Sequence, residues 1–342
     1  MPENLDKRKR KILQAIVEEY IDTSEPVSSG SLVKNSEIDC SSATIRNEMA
    51  ELERIGFLEQ PHTSAGRIPS EKGYRYYVDE LIREDAISRK EMEMIKNMLE
   101  TKVNNLEELT KIATTTLSEI THYTTVVLEP NMSNHTIIDI KFMLLGTRIL
   151  MVVILTDSGI IRESVIKFDE DLTSEQVNDL TYIFKNKLVG KPIEKIYGPI
   201  EDYILSEIKT GIEIIEKVID ELNKLLDTSK TYIEGANKVV DMPEFKRNDI
   251  TKDFLNALTA KDIIADVMNS GIAQDINVFI GSESEKEELK NFSIVTFNHL
   301  LDGKDIGTIG IIGPTRMDYS KVISVMKYIS KKINDGYKKG KF

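Results

Sequence analysis

The chain contains one cysteine, Cys40. A lone thiol excludes an intrachain disulfide framework and any cysteine-cluster metal site. Long apolar runs are equally scarce. The longest uninterrupted aliphatic stretch, Ile149 to Leu155, has seven residues, far short of the ~20 needed to span a bilayer. Near the N-terminus, Lys7, Arg8, Lys9, Arg10 and Lys11 precede an apolar stretch that Glu18 and Glu19 interrupt, so it does not read as a secretory leader. These features predict a soluble cytoplasmic protein with no membrane partner. The four histidines are His62, His122, His135 and His299. None lies three or four residues from another His or from the Cys, so no compact metal motif is formed and no metal is expected. No Walker A sequence occurs. Gly307, Gly310 and Gly313 have GxxGxxG spacing inside a strand pattern. They read as turns and close backbone packing, not a dinucleotide loop. Catalytic residues and cofactors are therefore expected to be absent.

An excess of positive charge is missing too. The net charge of the 342 residues is −12. Residues 1–83 hold 12 Lys and Arg against 15 Asp and Glu, a net of −3. A nucleic-acid surface on this chain must come from the placement of charges, not from composition. With 40% hydrophobic and 30% charged residues there is ample material for ordinary cores. The length suggests roughly two to three domains.

Ile12, Leu13, Ile16, Val17, Tyr20 and Ile21 recur at helical spacing, which predicts a helix over 5–21 that Glu25-Pro26 ends. A short helix follows near 29–35. Ser41 and Ser42 offer N-caps for a third helix through Ile55, with Gly56 as its left-handed stop. Residues 57–60 read as a short strand, 61–73 as a turn-rich loop, and 74–81 as the return. Three short helices and a hairpin make a winged helix-turn-helix pattern. Beyond it the chain reads as α+β. A charged connecting helix covers 84–104, where Met92, Met94 and Met98 fit packing. A helix over 106–122 precedes a strand at 123–129, and residues 135–168 are all β, with a hairpin signal at Asp157-Ser158-Gly159. Helices are predicted at 173–189, 199–227, 249–269 and 320–333, and strands at 232–241, 276–280, 293–299 and 306–312. In one division a sheet uses the strand at 124–130 together with the strands after 231, and 136–229 is an insertion between neighbouring strands.

The third helix carries the functional signal. Stepping ~100° per residue from Ile45, Met49 and Leu52 join it on the core side. Ala43, Asn47 and Arg54 point away, flanked by Thr44 and Arg46. Small residues allow close approach in a major groove, where Asn pairs with adenine and Arg with guanine. A solvated helix face is the plain alternative, which the neighbouring helices and hairpin disfavour. In the wing loop, Gly and small residues let the backbone approach phosphate, and Arg67 can reach the backbone or a narrow minor groove, with Lys72 and Arg75 nearby. The basic run 7–11 is either a solvated tail or a phosphate contact. Asp169-Glu170-Asp171 reads as a solvated loop, and Cys40 as a packing residue.

SATIRNEMAELE over 42–53, QPHTSAGRIP over 60–69, GYRYYVD over 73–79 and IGPTRMDY over 312–319 resemble the HrcA family of bacterial heat-inducible transcription repressors. The resemblance covers essentially the whole chain. It implies a winged-helix DNA-binding domain (1–83), a connecting helix (84–104), a GAF-like domain (105–135 and 230–342) and an inserted dimerisation domain (136–229). It implies repression of chaperone operons of the grpE-dnaK-dnaJ and groEL-groES type. The homodimer would bind a double-stranded inverted-repeat operator, CIRCE, with the GroEL chaperonin modulating its activity. DNA contacts are then expected from Ser42, Thr44, Arg46, Asn47, Arg54, His62, Ser64, Arg67, Lys72 and Arg75. A winged-helix repressor that senses a small molecule in the GAF-like domain is the alternative.

Overall fold

The computed structural model describes residues 5–34, 38–62, 65–82, 87–100, 106–130, 132–196, 212–227, 231–246, 248–271, 276–301 and 304–338. The protein is α+β. Helix α1 (Lys7–Thr23) opens on Asp6, whose carboxylate accepts from the backbone of Arg8 and Lys9, and it buries Ile12, Leu13, Ile16 and Val17. Helix α2 (Ser29–Leu32) starts at the Ser28 cap. Helix α3 (Ser42–Arg54) starts at Ser41, whose hydroxyl accepts from Thr44 N. Such a cap contributes about 1 kcal/mol. Ile45, Met49 and Leu52 of α3 are buried, as their spacing predicts. Gly56 follows with φ +83°, in the left-handed stop position.

Strands β1 (Leu58–Glu59) and β2 (Ile68–Pro69) pair antiparallel. The hairpin thus closes inside the stretch expected to be loop. The return at 74–81 is helical: α4 (Glu71–Tyr76) runs into a π-turn over Tyr77–Leu81. Ser70 is the cause, because its hydroxyl accepts from Gly73 N and nucleates the turn. Helix α5 (Arg89–Glu100) lies inside the expected connecting helix, and α6 (Leu106–Thr121) follows it.

Two larger antiparallel sheets form among the described residues. Strands β4 (Ile137–Gly146), β5 (Ile149–Thr156) and β6 (Ile161–Lys167) make a meander. Helices α7 (Ser174–Leu188) and α8 (Ile212–Asp227) cover one face of it. The expected start of the latter helix, at 199, falls outside the described residues. The other sheet has the order β7-β3-β10-β9-β8, with β3 at Thr124–Leu128, β7 at Thr231–Glu234, β8 at Ile276–Ile280, β9 at Phe292–Leu301 and β10 at Lys304–Pro314. Neighbours β3 and β7 pair directly, Thr125 opposite Glu234 and Leu128 opposite Thr231, so the whole meander unit leaves and returns between two adjacent strands.

Two sequence expectations are corrected here. The strand expected over 232–241 stops at Glu234, because Gly235 turns left-handed (φ +78°) and a short helix α9 (Ala236–Val240) begins. The single helix expected over 249–269 is two, α10 (Asn248–Thr259) and α11 (Lys261–Asn269), broken at Ala260. Helix α12 (Tyr319–Lys338) completes the chain's described part.

Three apolar clusters result among the described residues. One joins α1–α4, α5, α6 and α12 to one face of the five-stranded sheet. A second lies between the opposite face and α9–α11. The third uses only residues 132–226. The last is a self-contained core, whereas the N-terminal helices share theirs with the central sheet. Near the strand ends, Gly307 (φ +125°) accompanies a register shift in β10, and a Cβ there would meet Leu128 O at 2.5 Å.

Candidate nucleic-acid interface

Helix α3 is packed on α1 through its apolar side and presents Ala43, Arg46, Asn47, Ala50 and Arg54 to solvent. Ala50 extends the face read from sequence. Among the described residues, no hydrogen bond or ion pair engages the side chains of Arg46 or Asn47. Small residues, Ala43 and Ala50, thus flank an adjacent guanidinium and amide that both point outward. This arrangement can enter a groove and pair with base edges.

The acidic residues of the same helix are neutralised in place. Glu48 pairs with Arg8 at 3.4 Å and Lys9 at 3.2 Å. Glu51 pairs with Arg54 at 2.7 Å, and that bond lowers the Glu51 pKa. Glu53 pairs with Arg67 at 2.8 Å. The basic run at 7–11 is therefore partly a counter-charge for α3. The acidity of α3 itself is thus set aside locally, which leaves Arg46 as the cation of the face with no acidic partner among the described residues.

Other expected contacts sort by what holds them. Ser42 Oγ lies 3.1 Å from Ser29 Oγ and ties α3 to α2. Thr44 Oγ1 lies 3.0 Å from Ser41 Oγ at the cap. Lys72 Nζ donates to Ile55 O at 2.9 Å and lies 4.5 Å from the Phe57 ring centroid, so it secures the end of α3. His62 is exposed at the hairpin tip. Ser64 lies outside the described residues. Arg67 sits on the hairpin, but Glu53 holds its guanidinium.

Arg75, also in the expected DNA-contact set, is engaged by partners within the chain. Its Nε donates to Glu283 Oε1 at 2.9 Å, its Nη1 to Asp79 Oδ1 at 3.1 Å, and its Nη2 to Glu283 and to the Val278 carbonyl. Those bonds raise its pKa further. The Asp79 partner is legible as an i, i+4 pair; Glu283, 208 residues away, leaves no local signal.

The hairpin is fastened to the segment before α2. Val27 N donates to Arg67 O at 2.9 Å, and Arg67 N to Val27 O at 2.8 Å. This requires Gly66, where a Cβ would stand 2.2 Å from Val27 O. Ser70 N donates to Phe57 O at 3.1 Å, and Ser70 Oγ to Gly56 O at 2.7 Å. Helix α3, the hairpin and α4 are thus one rigid piece. The Val27 pairing was not readable in the sequence, since a single bridge has no periodicity.

Comparison with known proteins fixes the family. A family described as HrcA protein C terminal domain matches residues 107–323. The heat-inducible transcription repressor HrcA of Ruminiclostridium cellulolyticum is 38% identical over 336 residues, 96% of this chain and 97% of that protein. The chain belongs to the HrcA family. The HrcA repressor of Acetivibrio thermocellus is 37% identical across 97% of this chain and 96% of its own, and that of Brevibacillus brevis 36% across 95% and 96%. A crystal structure described as that of a hypothetical protein at 2.2 Å resolution superposes with a TM-score of 0.67 at 26% identity, covering 97% of this chain and 98% of its own. HrcA membership makes this chain a heat-inducible transcription repressor. The motifs at 42–53, 60–69 and 73–79 lie outside the span matched by the family description, but inside the alignments to full-length relatives.

Proposed function

We propose that this HrcA-family repressor binds an inverted-repeat operator of the CIRCE type as a homodimer, with α1–α4 and the hairpin acting as a winged helix. Helix α3 reads the major groove. The observation that carries this reading is the exposed Arg46–Asn47 pair, flanked by Ala43 and Ala50, on a helix whose carboxylates are all paired. Base contacts come from Arg46 and Asn47. His62 and the hairpin tip approach the backbone, and the N-terminus of α3 favours phosphate. In this reading the five-stranded sheet is the GAF-like domain and 136–229 the dimerisation domain.

The meander supports the dimer. Its inward residues are buried, while the outward face carries Met143, Met151 and Val165 in one cross-strand row, with Ile149 and Ile161 above and below. Met143, Ile149, Ile161 and Val165 are exposed. A second copy would remove this apolar surface from water at ~25 cal/mol per Å².

A footprint on DNA upstream of the gene tests the DNA-binding reading. Protection of two symmetric half-sites is the expected result, because a palindrome mirrors a two-fold dimer. Protection without symmetry would remove the dimer, and no protection would remove the reading. Control by the GroEL chaperonin rests on the family alone. Its measure is operator binding after mild heating and cooling, with and without chaperonin and ATP; an unchanged active fraction would reject it. For ligand sensing, one candidate place among the described residues is an open cleft of about 550 Å³ lined by Glu91, His122, Tyr123, Asp318 and Lys321. There Glu91 is paired with Lys321, and Tyr123 OH accepts from Asp318 N, so these groups already have partners within the chain.

A further inference from the structure

Helix α4 is locked to the far end of the central sheet. Besides the Arg75–Glu283 pair, Glu71 Oε1 accepts from Ser282 N at 3.1 Å, and its other oxygen accepts from Ser282 Oγ. The turn it meets, Gly281–Ser284, follows β8 directly. Gly281 has φ +53°, and a Cβ there would lie 2.0 Å from Glu71 Oε1, so the carboxylate can reach the turn only because that residue is Gly. Glu283 also accepts from Ile280 N at 2.9 Å, which fixes it to the sheet before it meets Arg75. The clamp is therefore built from both sides: two charged side chains of one α4 face against one preformed turn. Its members are part-exposed, so it adds little to global stability. What it adds is geometry. A bidentate guanidinium–carboxylate pair restricts angle as well as distance.

The rigidity continues toward α3. Ser70, the cap of α4, bonds to the carbonyls of Gly56 and Phe57 at the exit of α3. Any rotation of α4 on the sheet therefore carries the exposed face of α3 with it. In a symmetric dimer held together elsewhere in the chain, that rotation changes the separation of the two reading helices.

We propose that Arg75, Glu71 and Glu283 are positioning residues for operator recognition, setting the half-site spacing that the dimer accepts. This rests on the DNA-binding dimer reading above. The alternative is a hinged module whose linker lets each reading helix find its half-site independently.

The test uses the full-length protein and four duplexes: the upstream inverted repeat at its natural spacing, the same repeat with the spacer lengthened or shortened by two base pairs, and a single half-site. Two base pairs displace a half-site by ~7 Å and rotate it by ~70°. Wild-type protein should bind the altered spacings about tenfold or more weakly than the natural one, since a rigid dimer cannot engage both halves. Glu283→Gln keeps an oxygen for Ile280 N but loses the charged pair. It should leave half-site affinity within about twofold, weaken the natural repeat, and reduce the spacing penalty to about threefold or less. Ser282→Ala, which removes one donor to Glu71 at an exposed position, should move the penalty in the same direction. A Glu283→Gln protein with the wild-type penalty overturns the inference while leaving DNA binding intact. Should Glu283→Gln fail to fold, an unchanged penalty in Ser282→Ala overturns it instead. Wild-type protein that binds neither the repeat nor the half-site overturns the DNA-binding reading and the inference with it.

Discussion

Replacing Gly66 with Ala should detach the hairpin from the body of the reading unit. The added Cβ would stand 2.2 Å from Val27 O, 2.5 Å from Val27 C and 2.7 Å from Pro26 O. All three are backbone atoms, so no side chain can swing aside. Real contacts begin above 3.0 Å, and the Val27 peptide must retreat. That breaks the reciprocal Val27–Arg67 bonds of 2.9 and 2.8 Å, each worth about 0.5–1.5 kcal/mol net. It also partly withdraws the buried Val27 side chain, whose full burial is worth ~1.5–3 kcal/mol. The expected local loss is about 2–4 kcal/mol. Amide exchange reads this directly, because the two bonded amides are those of Val27 and Arg67. Their exchange should speed up about 30- to 1000-fold. Operator affinity should fall with it, since the hairpin tip is no longer held beside α3. Gly30→Ala is the control. Its nearest neighbour would be Ser28 Oγ at 3.6 Å, and the residue lies in α2, so the change should be neutral or stabilising by up to ~1 kcal/mol. If both variants exchange Val27 and Arg67 at the wild-type rate, the steric argument is wrong.

Three further outcomes are expected. Asn47→Ala should weaken operator binding by about 1–3 kcal/mol while leaving random DNA unchanged; equal weakening in a titration of both would reject base reading. Met151→Lys places a charge at the centre of the outward meander face and should give a monomer in sedimentation velocity, whereas an unchanged dimer would put the contacts elsewhere. Burial holds the phenol pKa of Tyr74 and of Tyr319 above the usual 10.0. In the unfolded chain both ionise near 10, so the stability they contribute is complete below that pH and is lost as pH rises above it. Denaturant midpoints should fall above pH 10, and Tyr74→Phe/Tyr319→Phe should flatten that fall; a parallel profile would reject the assignment.

Much of the reading unit was legible in the chain. The apolar stripes of α1 and α3, the serine caps and Gly56 are local signals with a 3.6-residue period, and the outward direction of Asn47 follows from Ile45, Met49 and Leu52 facing in. The same holds for the meander, whose alternation and Asp-Ser-Gly turn lie within neighbouring residues. The family motifs added the repressor function, which no periodicity contains. Where local signals were ambiguous the expectation failed. Tyr232, Ile233, Val239 and Val240 suggest one strand over 232–241, yet the left-handed Gly235 ends the extended run. Residues 74–81 read only as a return, and the Ser70 cap decides that the return is helical.

Tertiary structure decided which charges are available. From the sequence, Arg46, Arg54, Arg67, Lys72 and Arg75 are all candidate DNA-contacting cations. In the folded chain Glu53 holds Arg67, the Ile55 carbonyl holds Lys72 and Glu283 holds Arg75, while Arg46 keeps its guanidinium toward solvent; the Glu51–Arg54 pair, three residues apart on one helix, is a local signal instead. Helical periodicity can say which way a side chain leaves its own helix. It cannot say what another element brings to meet it, because ion pairing depends on distance through space, and the partner of Arg75 stands 208 residues further along the chain.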